Sequence, residues 1–358
     1  MTTTQTRIAA LGRAPALAIL LALLLLIGMG LSLGEDHSTR APTAPGMGDV
    51  DLYRAIDMRM LHGQGYYQAA ATEQRARGYP LRPFVTVRMP TLAWITTFAG
   101  GPSRVTAIEM LLAMISVGMT IIRLRKLIRS DGLWALASLL VVTTVAMLSQ
   151  SALAIWHELW AGLLIALSLA CWSERRWSLS VALGLAAVLL RELALPYLVT
   201  MAALAVLERR PREACAWVGA IILFGVALFA HAHAVGALLE ATDRASPGWS
   251  RLGGWRFDLA LVRGTSLLAT VPTQVTAVLL PVALLGWAAW PNRYAARFGL
   301  SLLGWLSAFL LIGRPENFYW GLLMAPLLPI GLAMALPALR DLVRALSQRT
   351  PTTRLAPQ

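Results

Sequence analysis

The chain has 358 residues, of which 57% are hydrophobic and only 14% are charged, and its mean hydropathy is +0.63. A soluble globular domain has about 25% charged residues, so this composition excludes ordinary soluble enzymes, disordered scaffolds and disulfide-rich secreted domains. The formal net charge of +13 does not indicate a nucleic-acid partner, because the basic residues lie in short clusters between apolar runs, where they direct membrane topology. The sequence predicts an all-α protein that crosses a membrane many times.

The first predicted element is a membrane span from Ala14 to Leu33, an apolar run of 20 residues. Such a run is long enough for ~30 Å of hydrocarbon. Arg7 and Arg13 precede it, as they would precede the apolar part of a signal peptide. The run is too long for a signal peptide and no clear small-residue cleavage motif follows, so we expect an uncleaved span.

Nine further apolar segments follow, which makes about ten predicted spans with both termini in the cytoplasm. Their ranges are 104–122, 133–155, 159–172, 178–190, 193–207, 215–233, 271–290, 298–312 and 318–337. The segment 178–207 is predicted as two crossings because Pro196 interrupts it. A single crossing would also place arginine clusters outside, against the positive-inside tendency.

These spans form one predicted membrane domain, residues 1–345, with long outside loops at 34–103 and 234–270 and a disordered cytoplasmic tail at 346–358. In the first loop, the apolar spacing predicts a helix from Asp49 to His62 that lies in the membrane interface. The apolar stretch Met89–Ala99 is too short to cross and is predicted as a surface or half-inserted helix.

Each short outside turn carries ionisable side chains beside the hydrocarbon. In chain order the three turns hold His157 and Glu158, then Arg191 and Glu192, then Arg314, Glu316 and Asn317. Charged groups at this depth cost free energy and commonly belong to a site or a transport pathway, so the turns predict one polar cavity near the outer face. The alternative is structural: Arg191–Glu192 and Arg314–Glu316 would only neutralise each other and join helix ends.

Two carboxylates, Asp49 and Asp51, begin the predicted helix of the first outside loop. Asp-x-Asp by itself is equally typical of a helix N-terminus, where carboxylates accept backbone N–H bonds and favour the helix dipole. The chain has no phosphate-binding glycine loop and no nucleophile elbow. His231 and His233 stand two residues apart, which is the wrong spacing for two metal ligands on one helical face, so no metal site is predicted.

In these features the chain resembles the GT-C superfamily of membrane glycosyltransferases, especially the polyprenyl-phosphate-sugar-dependent mannosyl- and arabinosyltransferase-like branch. The residues that carry the resemblance are Asp49-Val-Asp51-Leu-Tyr53, Gly63-Gln-Gly65-Tyr66-Tyr67, Arg88-Met-Pro90-Thr-Leu-Ala-Trp94, His157-Glu158, and Gly184 to Glu192 between the paired short spans. The likeness covers most of residues 10–340 and does not identify the sugar.

The resemblance implies a glycosyltransferase of the cell membrane with its active site facing the periplasm or the outside. It would move a sugar from a polyprenyl-phosphate-linked donor to a hydroxyl of a glycolipid, polysaccharide or protein acceptor. The roles that it implies are the general base at Asp49 with Asp51 in reserve, a supporting carboxylate at Glu158, donor-phosphate binding by Arg191 and Arg314, and a pocket lined by Tyr53, His157, Glu192, Glu316 and Asn317. Whether a divalent cation takes part stays open, and no other cofactor is expected.

Two other classes of protein fit the same composition. A lipid or solute transporter would also hold charges in a membrane cavity, but it should expose polar groups towards both leaflets, whereas the predicted cytoplasmic turns carry mainly arginines. A non-catalytic assembly subunit of the membrane would leave Asp49 and Asp51 without a function.

Overall fold

The computed structural model describes residues 5–33, 48–150, 153–250 and 252–347. Within these ranges the protein is all-helical, which confirms the predicted class, and no β-strand occurs. The α-helices are α1 (Arg13–Ser32), α2 (Asp49–Leu61), α3 (Tyr66–Ala76), α4 (Thr91–Ala99), α5 (Pro102–Leu127), α6 (Asp131–Leu148), α7 (His157–Cys171), α8 (Ser178–Leu190), α9 (Leu195–Leu207), α10 (Pro211–Gly236), α11 (Gly254–Gly264), α12 (Thr273–Ala289), α13 (Arg293–Leu311) and α14 (Ile330–Ser347).

Five of these helices are long and apolar enough to cross a membrane, namely α1, α5, α6, α10 and α13. Helices α7, α8, α9 and α12 are also apolar but shorter. Many of the large apolar side chains on α1, α5 and α10 are exposed, as expected of helices that face lipid. The fold is therefore consistent with a membrane protein.

The reversal between α8 and α9 is sharp. Helix α8 ends at Leu190, Arg191 has an extended backbone, and α9 begins at Leu195 with Pro196 in its first turn. Proline is tolerated there because the first N–H groups of a helix have no intrahelical partner. The two helices are separate elements, and the turn between them places Arg191 at a helix end.

The segment before α14 differs from the predicted span at 318–337. Residues Pro315–Leu323 form a 3₁₀ helix, turns follow, and the α-helix begins only at Ile330. Pro326 and Pro329 account for the late start, because proline lacks the N–H that an α-helix needs. Most of this irregular backbone is buried. Non-helical backbone at membrane depth is tolerated only inside protein or beside a cavity.

Helix α14 packs closely against α12 through glycines. A Cβ at Gly286 would lie 1.8 Å from the carbonyl oxygen of Gly331, so neither position has room for a larger residue. Beyond this contact, Asp341 of α14 accepts hydrogen bonds from the backbone N–H and the hydroxyl of Thr6. These contacts fix the amino-terminal segment against the last helix.

Helices α2 and α3 pack against each other through their apolar faces. Ile56 and Met60 of α2 pack with Tyr66 and Ala70 of α3 in a small core of their own. Protein therefore covers this apolar face, because the chain returns over it through α3 and the segment that follows, and the position of α2 in the membrane interface stays a prediction. The short helix α4 does expose Trp94 and Phe98, as a surface or half-inserted helix would.

The short helices leave a depression at one end of the bundle. The Ser116 hydroxyl of α5 donates to the Leu163 carbonyl of α7, so the two helices are level at this point. From there α5 continues for 14 residues to Pro102, whereas α7 continues for only six to His157. At 1.5 Å per residue the difference is about 12 Å. The start of α7 is therefore sunk below the end of α5, and the site described next lies there.

Candidate active site

A cavity of about 440 Å³ occupies this depression. Six parts of the chain form its wall: α2, α3, residues 79–88, the α8–α9 reversal, the loop after α10, and the segment from residue 312 to 320. Of the predicted site residues, Asp49, Tyr53, Arg191, Glu192, Arg314, Glu316 and Asn317 line it. Asp51, His157 and Glu158 do not line it.

Asp49 is held in position by a tyrosine. It opens α2, and its Oδ1 accepts a hydrogen bond of 2.8 Å from the Tyr79 hydroxyl. Burial, and secondly the Asp49 carboxylate, raise the pKa of Tyr79, so this hydroxyl stays protonated and remains a donor. Asp49 therefore presents a fixed carboxylate to the cavity. Asp51 lies one half-turn further along α2 and does not line the cavity.

Arg191 is committed to carboxylate partners. Its side chain is only 2% exposed, and its Nε lies 2.6 Å from Oε1 of Glu158, which is itself 1% exposed. A second guanidinium nitrogen contacts Glu192. Arg191 thus lines the cavity while it is paired with two carboxylates. Glu158 is buried behind Arg191 and does not line the cavity. The ion pair between Arg191 and Glu192, which the structural alternative requires, is therefore present.

Arg88 also lines the cavity. An arginine in a predicted loop is weak evidence for a site, so no role was predicted for it there. It donates from Nε to the Tyr53 hydroxyl at 3.0 Å and from a terminal nitrogen to the Tyr319 hydroxyl at 3.1 Å. Glu192 and Glu158 lie farther from its guanidinium, at 3.8 and 4.0 Å. Arg88 is therefore less tightly neutralised than Arg191. The sequence offered one hint, its position directly before the return into α4.

The irregular segment after α13 supplies most of the remaining polar groups. Arg314 pairs with Glu316, and their side chains are 33% and 55% exposed. The Asn317 Nδ2 donates to the Tyr319 hydroxyl at 3.3 Å. Asn317 Oδ1 and Trp320 Nε1 are buried and have no hydrogen-bond partner among the described residues. Unsatisfied polar groups beside a cavity are typical of a site that binds a polar ligand.

His157 lies behind the cavity wall. It is 5% exposed and meets the ring of Tyr53 edge-on, with 5.5 Å between ring centroids. His157 therefore contacts Tyr53, which lines the cavity, and does not line the cavity itself. In the structure His157 packs beside Tyr53, and its predicted role in the pocket stays a prediction.

The loop after α10 covers one side of the cavity. Arg75 of α3 forms a bidentate pair with Asp243 at 2.7 and 2.9 Å, and residues 82 and 245 form a single bridge. The hydrogen bond from Arg75 lowers the pKa of Asp243 to about 2, so the pair is ionised at neutral pH. This attachment brings Ser246 and Trp249 into the cavity wall. Neither residue was predicted, because the contact spans more than 160 residues of sequence.

The cavity combines balanced charge with aromatic rings. Three arginines and three carboxylates line it. The rings of Tyr53, Tyr79, Trp249, Tyr319 and Trp320 stand beside them. Aromatic faces are suited to a hydroxyl-rich ligand, and the guanidinium groups are suited to one anionic group on it. Within the described residues, no group of three or more His, Cys, Asp or Glu side chains is arranged to hold a metal ion.

Comparison with protein-family models, curated proteins and solved structures gives no significant match to this chain.

Proposed function

We propose that this protein is a membrane glycosyltransferase, which moves a sugar from a polyprenyl-phosphate-linked donor to an acceptor hydroxyl. The observation that carries the proposal is the Asp49 carboxylate, fixed by Tyr79 in a cavity that also contains the Arg314 guanidinium. The aromatic wall supports a sugar ligand, and the sunken position supports a substrate that arrives from the membrane. The GT-C resemblance of the sequence is the second line of support.

The reaction needs a base and a cation. Asp49 takes the proton of the acceptor hydroxyl while the acceptor oxygen bonds to the anomeric carbon. The bond from that carbon to the phosphate oxygen breaks, and its electron pair leaves with the polyprenyl phosphate. Guanidinium stabilises the departing phosphate through charge-assisted hydrogen bonds. The acceptor is a glycolipid, a polysaccharide or a protein.

Among the arginines, Arg314 is the best phosphate ligand. It is the most exposed of the three, and its partner Glu316 is exposed as well, so the pair separates at low cost. Arg191 contributes indirectly, because it holds Glu158 and Glu192 in place. Arg88 holds Tyr53 and Tyr319 in place through hydrogen bonds to their hydroxyls. This division of roles differs from the equal assignment of Arg191 and Arg314 that the sequence suggested.

We expect Arg314→Lys to weaken donor binding by about tenfold, because lysine keeps the charge and loses the bidentate geometry. The measurement is the dissociation constant for a panel of polyprenyl-phosphate sugars in detergent. Arg104→Lys is the matched control, since Arg104 is exposed near the same end and does not line the cavity. Donor binding that is unchanged in Arg314→Lys places the phosphate elsewhere. If the purified parent protein binds no donor and transfers no sugar from any member of the panel, the proposed function is wrong.

The opposite end of the bundle argues against a transporter. There Arg297 is fully buried, pairs with both carboxylate oxygens of Glu208 at 3.0 and 2.8 Å, and stacks on Trp172. A solute path that opened at this point would have to break the Arg297–Glu208 ion pair. A non-catalytic assembly subunit is distinguished by an assay for sugar transfer alone, since its function requires neither Asp49 nor Arg314.

We further propose ten crossings with both termini in the cytoplasm and the cavity facing outward from the cell membrane. In a background without Cys171 and Cys215, a membrane-impermeant thiol reagent should label Glu316→Cys in intact cells. It should label Arg212→Cys only after the membrane is opened. Both positions are exposed in the structure, so a missing signal reports sidedness rather than burial. Labelling of Arg212→Cys in intact cells would reverse the orientation.

A further inference from the structure

We infer that the end of the bundle opposite the cavity binds the headgroup of an anionic phospholipid. The site is a surface of four arginines, Arg175, Arg176, Arg209 and Arg212, which we call the arginine surface. All four side chains are exposed. This inference does not depend on the proposed glycosyltransferase activity.

Two turns build the arginine surface. Arg175 and Arg176 lie between α7 and α8, while Arg209 and Arg212 lie at the junction of α9 and α10. The turns are joined directly, since Arg210 donates to the backbone carbonyl of Glu174. The two turns thus bring two exposed cations each to the same end of the bundle.

The acids of this region are already paired. Glu208 binds Arg297, Glu213 binds Arg210 at 2.9 Å, and Glu174 binds Arg293. Among the described residues, the four arginines of the arginine surface form no ion pair with a carboxylate. The surface therefore carries a local excess of positive charge that is complementary to an anionic ligand.

The backbone at Arg209 gives independent support. Its φ is +55°, and it is the only described residue other than glycine with a positive φ. It follows α9 in a helix-ending turn, where the Arg210 N–H bonds to the Ala205 carbonyl. Glycine or asparagine normally occupies this position because an L side chain is strained there. The strained backbone at Arg209 therefore supports a functional role for its guanidinium.

Neighbouring apolar side chains select a lipid over a free anion. Leu179 follows the first pair of arginines and is 58% exposed, while Val206 and Leu207 precede the second pair and are 62% and 77% exposed. The arginines thus lie within a few residues of exposed apolar side chains, as expected at the boundary between headgroups and hydrocarbon. A phospholipid matches both parts, with its phosphate on the arginines and its acyl chains along the leucines and the valine.

The test compares two variants of equal charge in the full-length protein. One replaces Arg175, Arg176, Arg209 and Arg212 with glutamine. The control replaces four exposed cations of the same end, Arg13, Lys126, Arg129 and Arg344, with glutamine. Binding of phosphatidylglycerol and of phosphatidylcholine is counted by native mass spectrometry and by the shift in Tm on titration with each lipid.

We expect the parent protein and the control variant to prefer phosphatidylglycerol over phosphatidylcholine. The arginine-surface variant should lose at least about tenfold in affinity for phosphatidylglycerol and keep its affinity for phosphatidylcholine. Equal losses in both variants would show diffuse attraction without a site. Competition by inorganic phosphate as strong as that by the lipid would show a free-anion site. Either result overturns the inference.

Arg209→Gly separates binding from folding. Glycine relieves the strained backbone, so this single variant should have a Tm equal to or above that of the parent protein. It should nevertheless bind less phosphatidylglycerol, because it removes one of the four cations. A variant that is stable and binds the lipid as well as the parent would exclude Arg209 from the site and remove the reason for its backbone conformation.

Discussion

Asp49→Asn is expected to lower turnover by about 10²- to 10⁴-fold, the usual contribution of a general base. Asparagine keeps the shape of the side chain and can accept the hydrogen bond from Tyr79. It cannot take the acceptor proton. The lost interaction belongs to the transition state, so kcat should fall while the donor dissociation constant and the Tm stay near those of the parent.

Asp51→Asn is the control for this prediction. Asp51 lies two residues along the same helix and does not line the cavity, so its replacement should leave kcat unchanged. Full activity in Asp49→Asn together with a loss in Asp51→Asn would transfer the role of base to Asp51. Full activity in both single variants and in the double variant would contradict the proposed mechanism.

Arg191→Met is expected to destabilise the fold by about 3–5 kcal/mol, the cost of leaving a buried charge without its partner. The charge that loses its close partner is that of Glu158, whose side chain is 1% exposed and whose other neighbouring cation, Arg88, lies 4.0 Å away. The measurement is the fraction of protein that unfolds with temperature or denaturant in detergent. Adding Glu158→Gln to Arg191→Met should restore much of the loss, because the double variant buries no unpaired charge at position 158.

Arg314→Met is the matched control for the buried pair. The Arg314–Glu316 pair is exposed to solvent, so its removal should change the free energy of unfolding by no more than about 1 kcal/mol. One other result would support Arg191 as the ligand of the donor phosphate. If Arg191→Met is as stable as the parent protein and fails to bind donor, Arg191 is a ligand residue, as the sequence first suggested.

The sequence by itself determined the class of the protein and the places where its helices turn. Apolar runs near 20 residues predict α1 and α10 closely, because the hydrocarbon thickness and the helical rise set the length of a span. Pro196 predicts the α8–α9 reversal, because the backbone constraint of proline is local. Polar residues in the predicted outer turns indicated a shared cavity, and five of those residues do line one: Arg191, Glu192, Arg314, Glu316 and Asn317.

Only the tertiary structure decided what each polar side chain does. Tyr79 reaches Asp49, Arg88 reaches Tyr319 and Arg75 reaches Asp243, across 30, 231 and 168 residues of sequence. No local pattern encodes such partners, because they depend on how helices pack and on which loops return over the site. The same contacts separate a buried Arg191 from an exposed Arg314, although both arginines stand in similar short turns of the sequence. Periodicity and chain length act within a segment, whereas ion pairing and burial are set between segments.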